Sequence, residues 1–148
     1  MEINRSNVYE IVNKADLKPD KDYGQNFLVE PDISKKIVDS LKIDSNDIVI
    51  EVGPGLGSLT HYLTTLEGKI TVVDIDRRMI DFLRIVYRKN NIAIVENDIR
   101  KVDVKSYTKV LGNLPYNITT ETIQYFLLNA ESAKQMGSQL PLYLRNFR

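Results

Sequence analysis

The stretch IVIEVGPGLGSLT, residues 48–60, joins a short apolar run to three alternating glycines. The run IVIEV at 48–52 is rich in β-branched residues and nearly continuous, which predicts a strand buried on both faces of a sheet. Gly53, Gly55 and Gly57 follow directly, before a predicted helix over residues 58–66. Because glycine has no side chain, this turn lets the backbone pass close to a ligand, although an ordinary strand-to-helix turn is the alternative.

Strands and helices continue to alternate along the rest of the chain. Further strands are predicted at residues 70–73, 92–95 and 110–111. Further helices are predicted from Pro31, after an N-cap at Asp76, and over residues 120–129. This rhythm predicts an α/β fold in which a parallel sheet carries helices on both faces. In such sheets a ligand binds at the carboxyl ends of the strands.

The composition is that of a globular domain. The 148 residues are 43% hydrophobic, with 20 basic side chains, 20 acidic side chains and no cysteine. The zero formal charge provides no global attraction to nucleic acid or to an anionic membrane, and the lack of cysteine excludes disulfides and thiolate metal sites. Without a secretory signal or a bilayer-spanning apolar run, we expect a cytoplasmic protein with no membrane partner. A weak helical pattern in residues 1–23 indicates an N-terminal extension that either caps or lies over the domain or is partly disordered.

Acidic residues mark the ends of two predicted strands. Asp74 ends the second strand, where its carboxylate can accept hydrogen bonds from both ribose hydroxyls of a nucleoside. Helix capping is the alternative role for Asp74, but Asp76 fills that role better. After the third strand, Asp98 can accept from the amine of an adenine while Ile99 packs on the ring. This second signal is weaker, because polar residues after strands are common.

The fourth strand leads into Asn113, Leu114, Pro115 and Tyr116. Proline has no N–H for a sheet ladder, so the strand is predicted to stop before Pro115. The amide of Asn113 and the nearby carbonyls are acceptors, and Tyr116 presents a flat ring. Together these groups predict a pocket for a planar ring that bears an amino group, with the ring stacked on the tyrosine. A turn that merely contains asparagine and proline is the alternative.

Five motifs in this order resemble the KsgA-type ribosomal RNA adenine dimethyltransferases, whose relatives, the Erm methyltransferases, share the order. The motifs are Gly24-Gln25-Asn26-Phe27-Leu28, EVGPGLGSLT, Asp74, Asn97-Asp98-Ile99 and LGNLPYNIT. The resemblance extends over about residues 20–128. It implies a class I, Rossmann-like methyltransferase fold that uses S-adenosylmethionine to dimethylate N6 of adenosines in small-subunit ribosomal RNA. The implied partner is ribosomal RNA or a precursor of the small ribosomal subunit.

The resemblance also implies a role for each motif. Gln25, Asn26 and Leu28 would lie over the cofactor, and Gly53, Gly55 and Gly57 would lie beneath its methionine part. Asp74 would bind its ribose, and Asp98 and Ile99 would bind its adenine. The target adenosine would lie against Asn113, Leu114, Pro115 and Tyr116, and Asn113 would also border the cofactor. No metal is implied. Two positions depart from the family pattern, which usually has glutamate at Asp74 and proline at Glu121.

Beyond Asn129 the sequence stops resembling the family. We therefore expect residues 24–148 to be a partial catalytic domain with an incomplete sheet, truncated after the NLPY motif and lacking the helical RNA-binding domain. At most one further strand, over residues 140–144, is expected. Impaired methyl transfer and self-association through an open sheet edge follow from that expectation.

Three other functions remain open at this point. One is a cofactor- or RNA-binding remnant without turnover. Another is an Erm-like enzyme that acts on large-subunit ribosomal RNA. A nucleotide-dependent oxidoreductase is a third, although the G-x-G-x-G spacing and the NLPY motif argue against it.

Overall fold

In the computed structural model, which describes residues 1–17, 27–130 and 142–147, five strands form one sheet. These strands are β1 (Ile48–Val52), β2 (Lys69–Asp74), β3 (Ile92–Glu96), β4 (Lys109–Pro115) and β5 (Leu142–Phe147). Their order across the sheet is β3-β2-β1-β4-β5, and every neighbouring pair is parallel. The four strands predicted from the sequence pattern are confirmed, and β5 overlaps the further strand expected at 140–144 but extends to Phe147.

The helices pack beside this sheet. They are α1 (Val8–Lys14), α2 (Pro31–Ser40), α3 (Thr60–Leu63), α4 (Arg77–Val86), the 3-10 helix Ile99–Lys101 and α5 (Tyr116–Asn129). The predicted start at Pro31 and the cap at Asp76 are confirmed, since Asp76 accepts from the backbone N–H of Arg78 at 3.0 Å. Helix α3 is shorter than the predicted 58–66, since regular helix begins at Thr60 and ends at Leu63. Residues 58 and 59 form a turn after Gly57, whose φ is +90°.

The prediction that the fourth strand stops before Pro115 was wrong by one residue. Strand β4 includes Pro115 as its last residue, and α5 begins at the next position. Pairing between β4 and β1 ends where Val52 faces Gly112, so Pro115 pairs only with β5. A proline fits at the end of a strand that has a neighbour on one side, because the ladder loses little from its missing N–H.

The central strands are buried on both faces, as predicted. On one face, Val49, Val72 and Leu111 pack against helices α2, α3 and α4. On the other, Ile50 and Val110 pack in a cluster that includes Phe126 of α5. Successive residues of a strand point to opposite sides of the sheet, so a continuous apolar run fills two cores at once.

The N-terminal segment covers one end of this domain. Val8 and Val12 of α1 are buried in a cluster with Leu56 of the glycine loop and Met79 of α4. Residues of α1 therefore pack on the glycine loop and on α4. The proposed boundary at residue 23 lies outside the described residues and stays a prediction.

A partly buried ion pair ties β4 to the turn before β1. Lys109 Nζ lies 2.7 Å from Asp47 Oδ2 and donates to the carbonyl of Lys42 at 2.8 Å. Asp47 also accepts from the hydroxyl of Thr108 at 2.8 Å. This network lies at the amino ends of the strands, opposite the expected ligand edge, so its role is to hold the sheet together.

Replacing Lys109 by methionine should lower the free energy of unfolding by about 1–3 kcal/mol, because it leaves the Asp47 carboxylate partly buried without its cation. Urea denaturation monitored by circular dichroism measures the change. Lys35→Met is the matched control, since Lys35 pairs with Asp39 on the exposed face of α2 and should cost less than about 0.5 kcal/mol. Equal losses in the two variants would contradict a special role for the Asp47 pair.

Candidate functional site

A cavity of about 160 Å³ opens at the carboxyl ends of β1, β2, β3 and β4. We call it the main cavity. Seven of the residues predicted from sequence line it: Gly53, Gly55, Asp74, Asp98, Ile99, Asn113 and Leu114. Residues from four separate strand ends therefore meet at one place, as the parallel topology requires.

The glycine loop packs directly on the Asn-Leu-Pro-Tyr segment. Gly53 has a φ of +64°, and a Cβ at this position would lie 2.5 Å from Leu114 Cδ2. Any larger residue would therefore push Leu114 away from the loop. Gly57 is not among the residues that line the main cavity. A Cβ on it would meet Leu83 and Tyr87 at about 3.0–3.1 Å, so this glycine lets α4 approach the loop.

Asp74 lies at the end of β2 beside the glycine loop. Its Oδ1 accepts from the backbone N–H of Asp76 at 2.9 Å, and the backbone N–H groups of Gly55 and Ile75 also point to its carboxylate. Removal from water raises the pKa of Asp74 to about 6, with a smaller contribution from the Asp76 charge. Since Asp76 caps α4, Asp74 is available to face the main cavity.

Asp98 combines a capping role with a place in the main cavity. Its side chain accepts from the backbone N–H of Arg100 at 2.9 Å, at the start of the 3-10 helix. The Arg100 guanidinium forks onto the same carboxylate, with Nη2 at 2.6 Å from Oδ2, and lowers the pKa of Asp98. Asp98 is therefore anionic at neutral pH. Ile99 beside it is buried and presents an apolar surface to the cavity.

Asn113 holds the most informative atom of the site. Its Oδ1 is buried, and no hydrogen-bond partner for it is found among the described residues. A buried acceptor without a donor costs about 1–3 kcal/mol, so this geometry suits a ligand that brings an N–H. The neighbouring carbonyl of Leu114 accepts a long contact, 3.5 Å, from the hydroxyl of Thr119. Asn113 and Leu114 both line the main cavity.

Sequence patterns did not single out Glu51, the acid inside β1. Its side chain is 1% exposed and accepts from the Thr60 hydroxyl at 2.6 Å. Burial, with a smaller effect of the Asp74 charge, raises the pKa of Glu51 to about 8. Together with Gly53 and Asn113 it lines a second, small cavity beneath the glycine loop. The available signal was an acid within an otherwise apolar strand, a residue type that is buried only for a reason.

The segment before α2 forms a further wall of the two cavities through Phe27 and Leu28, of which the sequence resemblance predicted a site role for Leu28 alone. Phe27 lines both cavities, and its ring lies 3.4 Å from the position of a Cβ on Gly55. Leu28 lines the small cavity, and its carbonyl accepts from the hydroxyl of Ser58. Gln25 and Asn26, which were predicted to cover the cofactor, lie outside the described residues.

The structure gives the backbone of Pro115 and Tyr116, which joins β4 to α5 without an intervening loop. Their roles toward a target base stay predictions. Within the described ranges, no group of three or more acidic or histidine side chains is arranged to hold a metal ion. No helix of those ranges has the length and apolar character to cross a bilayer.

Comparison with known proteins gives consistent matches. The model of a family described as ribosomal RNA adenine dimethylase matches residues 15–140. A probable ribosomal RNA small subunit methyltransferase A from Thermococcus onnurineus is 37% identical over 123 residues, which is 83% of this chain and 45% of the relative. The chain thus spans about half the length of such curated relatives.

Two solved structures share the architecture. A dimethyladenosine transferase from Plasmodium falciparum is 34% identical with a TM-score of 0.62, over 70% of this chain and 39% of that one. The 23S rRNA methyltransferase ErmE is 27% identical with a TM-score of 0.62, over 69% of this chain and 43% of that one. The fold is therefore that of class I methyltransferases, with a sheet that is partial by comparison.

Replacing Asp74 by asparagine should stabilise the ligand-free protein at pH 7.5 by about 1–3 kcal/mol. The folded protein keeps the Asp74 proton up to about pH 6, whereas the unfolded chain releases it near pH 4. Between these values the folded state binds more protons, so the wild type loses stability as pH rises and the variant does not. Asparagine still offers an oxygen to the Asp76 N–H.

Urea denaturation at pH 4 and pH 7.5 measures this difference, which should be small at the lower pH and fully present at the higher. Asp39→Asn is the control, because Asp39 is exposed on α2. A variant no more stable than the wild type at pH 7.5 would contradict the raised pKa.

Proposed function

The chain belongs to the ribosomal RNA adenine dimethylase family, and on this basis we propose that it binds S-adenosylmethionine and methylates N6 of adenosines in small-subunit ribosomal RNA. The observation that carries this proposal is the buried oxygen of Asn113, which has no hydrogen-bond partner among the described residues and lies in a cavity shared with Asp74 and Asp98. The amide oxygen of Asn113, which can accept from an amine, thus lines the same cavity as two carboxylates that can accept from a nucleoside.

The residues of the two cavities fit the proposed cofactor. When bound, S-adenosylmethionine supplies a methyl group activated by a positively charged sulfur. Asp74 is placed to accept from ribose hydroxyls, and Asp98 with Ile99 to hold an adenine ring. The glycine loop leaves room that a Cβ at Gly53 would fill. Beneath it, Glu51 offers a carboxyl group to the ammonium of an amino acid portion, whose positive charge favours the ionised form of Glu51.

Catalysis in this proposal comes from positioning. An adenine amine is a poor nucleophile because its lone pair is delocalised into the ring. Asn113 Oδ1 and the Leu114 carbonyl accept the two hydrogens of that amine, which favours a pyramidal nitrogen and directs its lone pair toward the methyl donor. Tyr116 stacks on the extruded base. This stacking contributes about 1–3 kcal/mol, which offsets part of the free energy needed to unstack the base.

The proposed partner is ribosomal RNA or a small-subunit precursor, in the cytoplasm. Because the chain spans 45% of its curated relative, a cofactor- or RNA-binding function without turnover is the second candidate. An Erm-like action on large-subunit RNA is the third, and the likeness to ErmE favours it to that extent. We also propose that β5, an edge strand among the described strands, can pair with a second copy of the chain.

Isothermal titration calorimetry should detect binding of S-adenosylmethionine to the wild type. Asp74→Asn should weaken that binding by about tenfold or more, because a neutral amide replaces a charged acceptor for the ribose hydroxyls. The control variant Asp39→Asn should bind like the wild type. Absence of binding by the wild type would overturn the proposed cofactor. Equal affinities of the two variants would contradict only the role of Asp74.

Asn113→Ala should reduce methyl transfer by at least about 100-fold, as expected for the loss of one positioned polar group, with cofactor affinity within about threefold. Transfer of radiolabelled methyl groups to isolated small- and large-subunit RNA measures both rate and target. Asn90→Ala is the control, since Asn90 is exposed and lies outside both cavities. Unchanged transfer by Asn113→Ala contradicts the amine-acceptor role, and labelling of large-subunit RNA alone favours the Erm-like function.

A further inference from the structure

In addition to Asp74, three charged side chains line the main cavity: Asp98, Arg100 and Glu121. The Arg100 guanidinium joins the other two. Its Nε and Nη2 lie 3.0 and 2.6 Å from the Asp98 carboxylate, and its Nη1 lies 3.1 Å from Glu121 Oε2. The side chains of Arg100 and Glu121 are 56% and 58% exposed, whereas that of Asp98 is 17% exposed. The Arg100–Glu121 pair therefore stands where the cavity meets solvent.

This pair connects the two functional halves of the site. Arg100 belongs to the 3-10 helix Ile99–Lys101, which follows β3 and carries the groups proposed for the adenine. Glu121 belongs to α5, which continues directly from the Asn113–Tyr116 segment proposed for the target base. Helix α5 also contacts the residue that directly follows the 3-10 helix, where the Tyr125 hydroxyl donates to the Val102 carbonyl at 2.6 Å. The Arg100–Glu121 pair is thus a second connection, on the exposed side.

The contact of Arg100 with Asp98 is stronger than its contact with Glu121. Toward Asp98 it makes a two-pronged contact to a mostly buried carboxylate, reinforced by the backbone N–H of residue 100. Toward Glu121 it makes one contact between two exposed groups. Exposed single contacts of this kind are weak and sensitive to salt, whereas forked contacts to a carboxylate are strong. Glu121 can therefore separate while Arg100 keeps its hold on Asp98.

We propose that Arg100 is a positioning residue that fixes Asp98, and that the Arg100–Glu121 pair is a latch across the opening of the main cavity. The closed latch ties α5 to the adenine-binding wall and slows passage of an adenine nucleoside in and out. Opening it moves α5 relative to that wall without removing any group that contacts the ligand. The inference rests on the proposed function, because the ligand is the nucleoside part of the proposed cofactor.

The test compares Glu121→Gln with the wild type, using S-adenosylhomocysteine as the probe and surface plasmon resonance as the measurement. Association and dissociation rates should both rise, by about 1.5- to 5-fold as expected for an exposed ion pair, with the equilibrium constant within about twofold. Added salt should speed dissociation from the wild type but not from Glu121→Gln. Glu10→Gln is the matched control, since Glu10 is 62% exposed and pairs with Lys14 on α1.

Arg100→Lys separates the two roles of the arginine. Lysine keeps the charge but cannot fork onto Asp98 and reach Glu121 together. This variant should therefore weaken binding as well as speed exchange. Dissociation rates of Glu121→Gln equal to the wild type would overturn the latch, and affinity of Arg100→Lys equal to the wild type would overturn the positioning role.

Hydrogen exchange of the ligand-free protein keeps the latch testable if the probe does not bind. Failure of the wild type to bind overturns the proposed cofactor, whereas the latch predicts a ligand-independent effect. Backbone amides of residues 99–101 and 118–122 should exchange faster in Glu121→Gln than in the wild type, while Glu10→Gln should leave them unchanged. Equal exchange in these segments overturns the latch whatever the probe does.

Discussion

The close approach of Leu114 to Gly53 is the contact on which the arrangement of the site depends. It requires a residue without a side chain at the end of β1, with a positive φ, directly beside the end of β4. Because of this contact, the glycine loop and the Asn-Leu-Pro-Tyr segment form one continuous wall. The groups proposed for the cofactor and those proposed for the target base thereby lie next to each other along this wall, as direct transfer between the two ligands requires.

Two buried acidic side chains beside this wall reduce the stability of the folded protein when they ionise. Burial raises the pKa of both Glu51 and Asp74, so ionisation of either carboxyl group lowers the free energy of unfolding. At the opposite end of the sheet, Asp47 has Lys109 within 2.7 Å. The paired acid stabilises the sheet, whereas Glu51 and Asp74 have no cation among their described contacts. Such a contrast is expected where charge is reserved for a ligand.

Sequence patterns predicted the parts of this molecule that follow from local chemistry. The β-branched run before the glycines, the cap at Asp76 and the polar strand ends each have a local physical cause, and parallel pairing brings those ends together. The extension of β4 through Pro115 was missed because it depends on which neighbour strand stops first. The burial of Glu51 and the bridge from Arg100 to Glu121 were missed because they depend on side chains brought together by packing.

The strand order also has a consequence for how the chain reaches its native state. Strand β1 lies in the middle of the sheet, and its neighbour β4 is distant in sequence, as the contact of Ile48 with Thr108 across 60 residues shows. Closing so long a loop is entropically unfavourable, and parallel topologies of high contact order fold slowly. Until β4 docks, one edge of β1 lacks its partner and the ligand cavity lacks a wall. Under the proposed function, recovery of nucleoside binding after dilution from denaturant would report formation of the β1–β4 pairing.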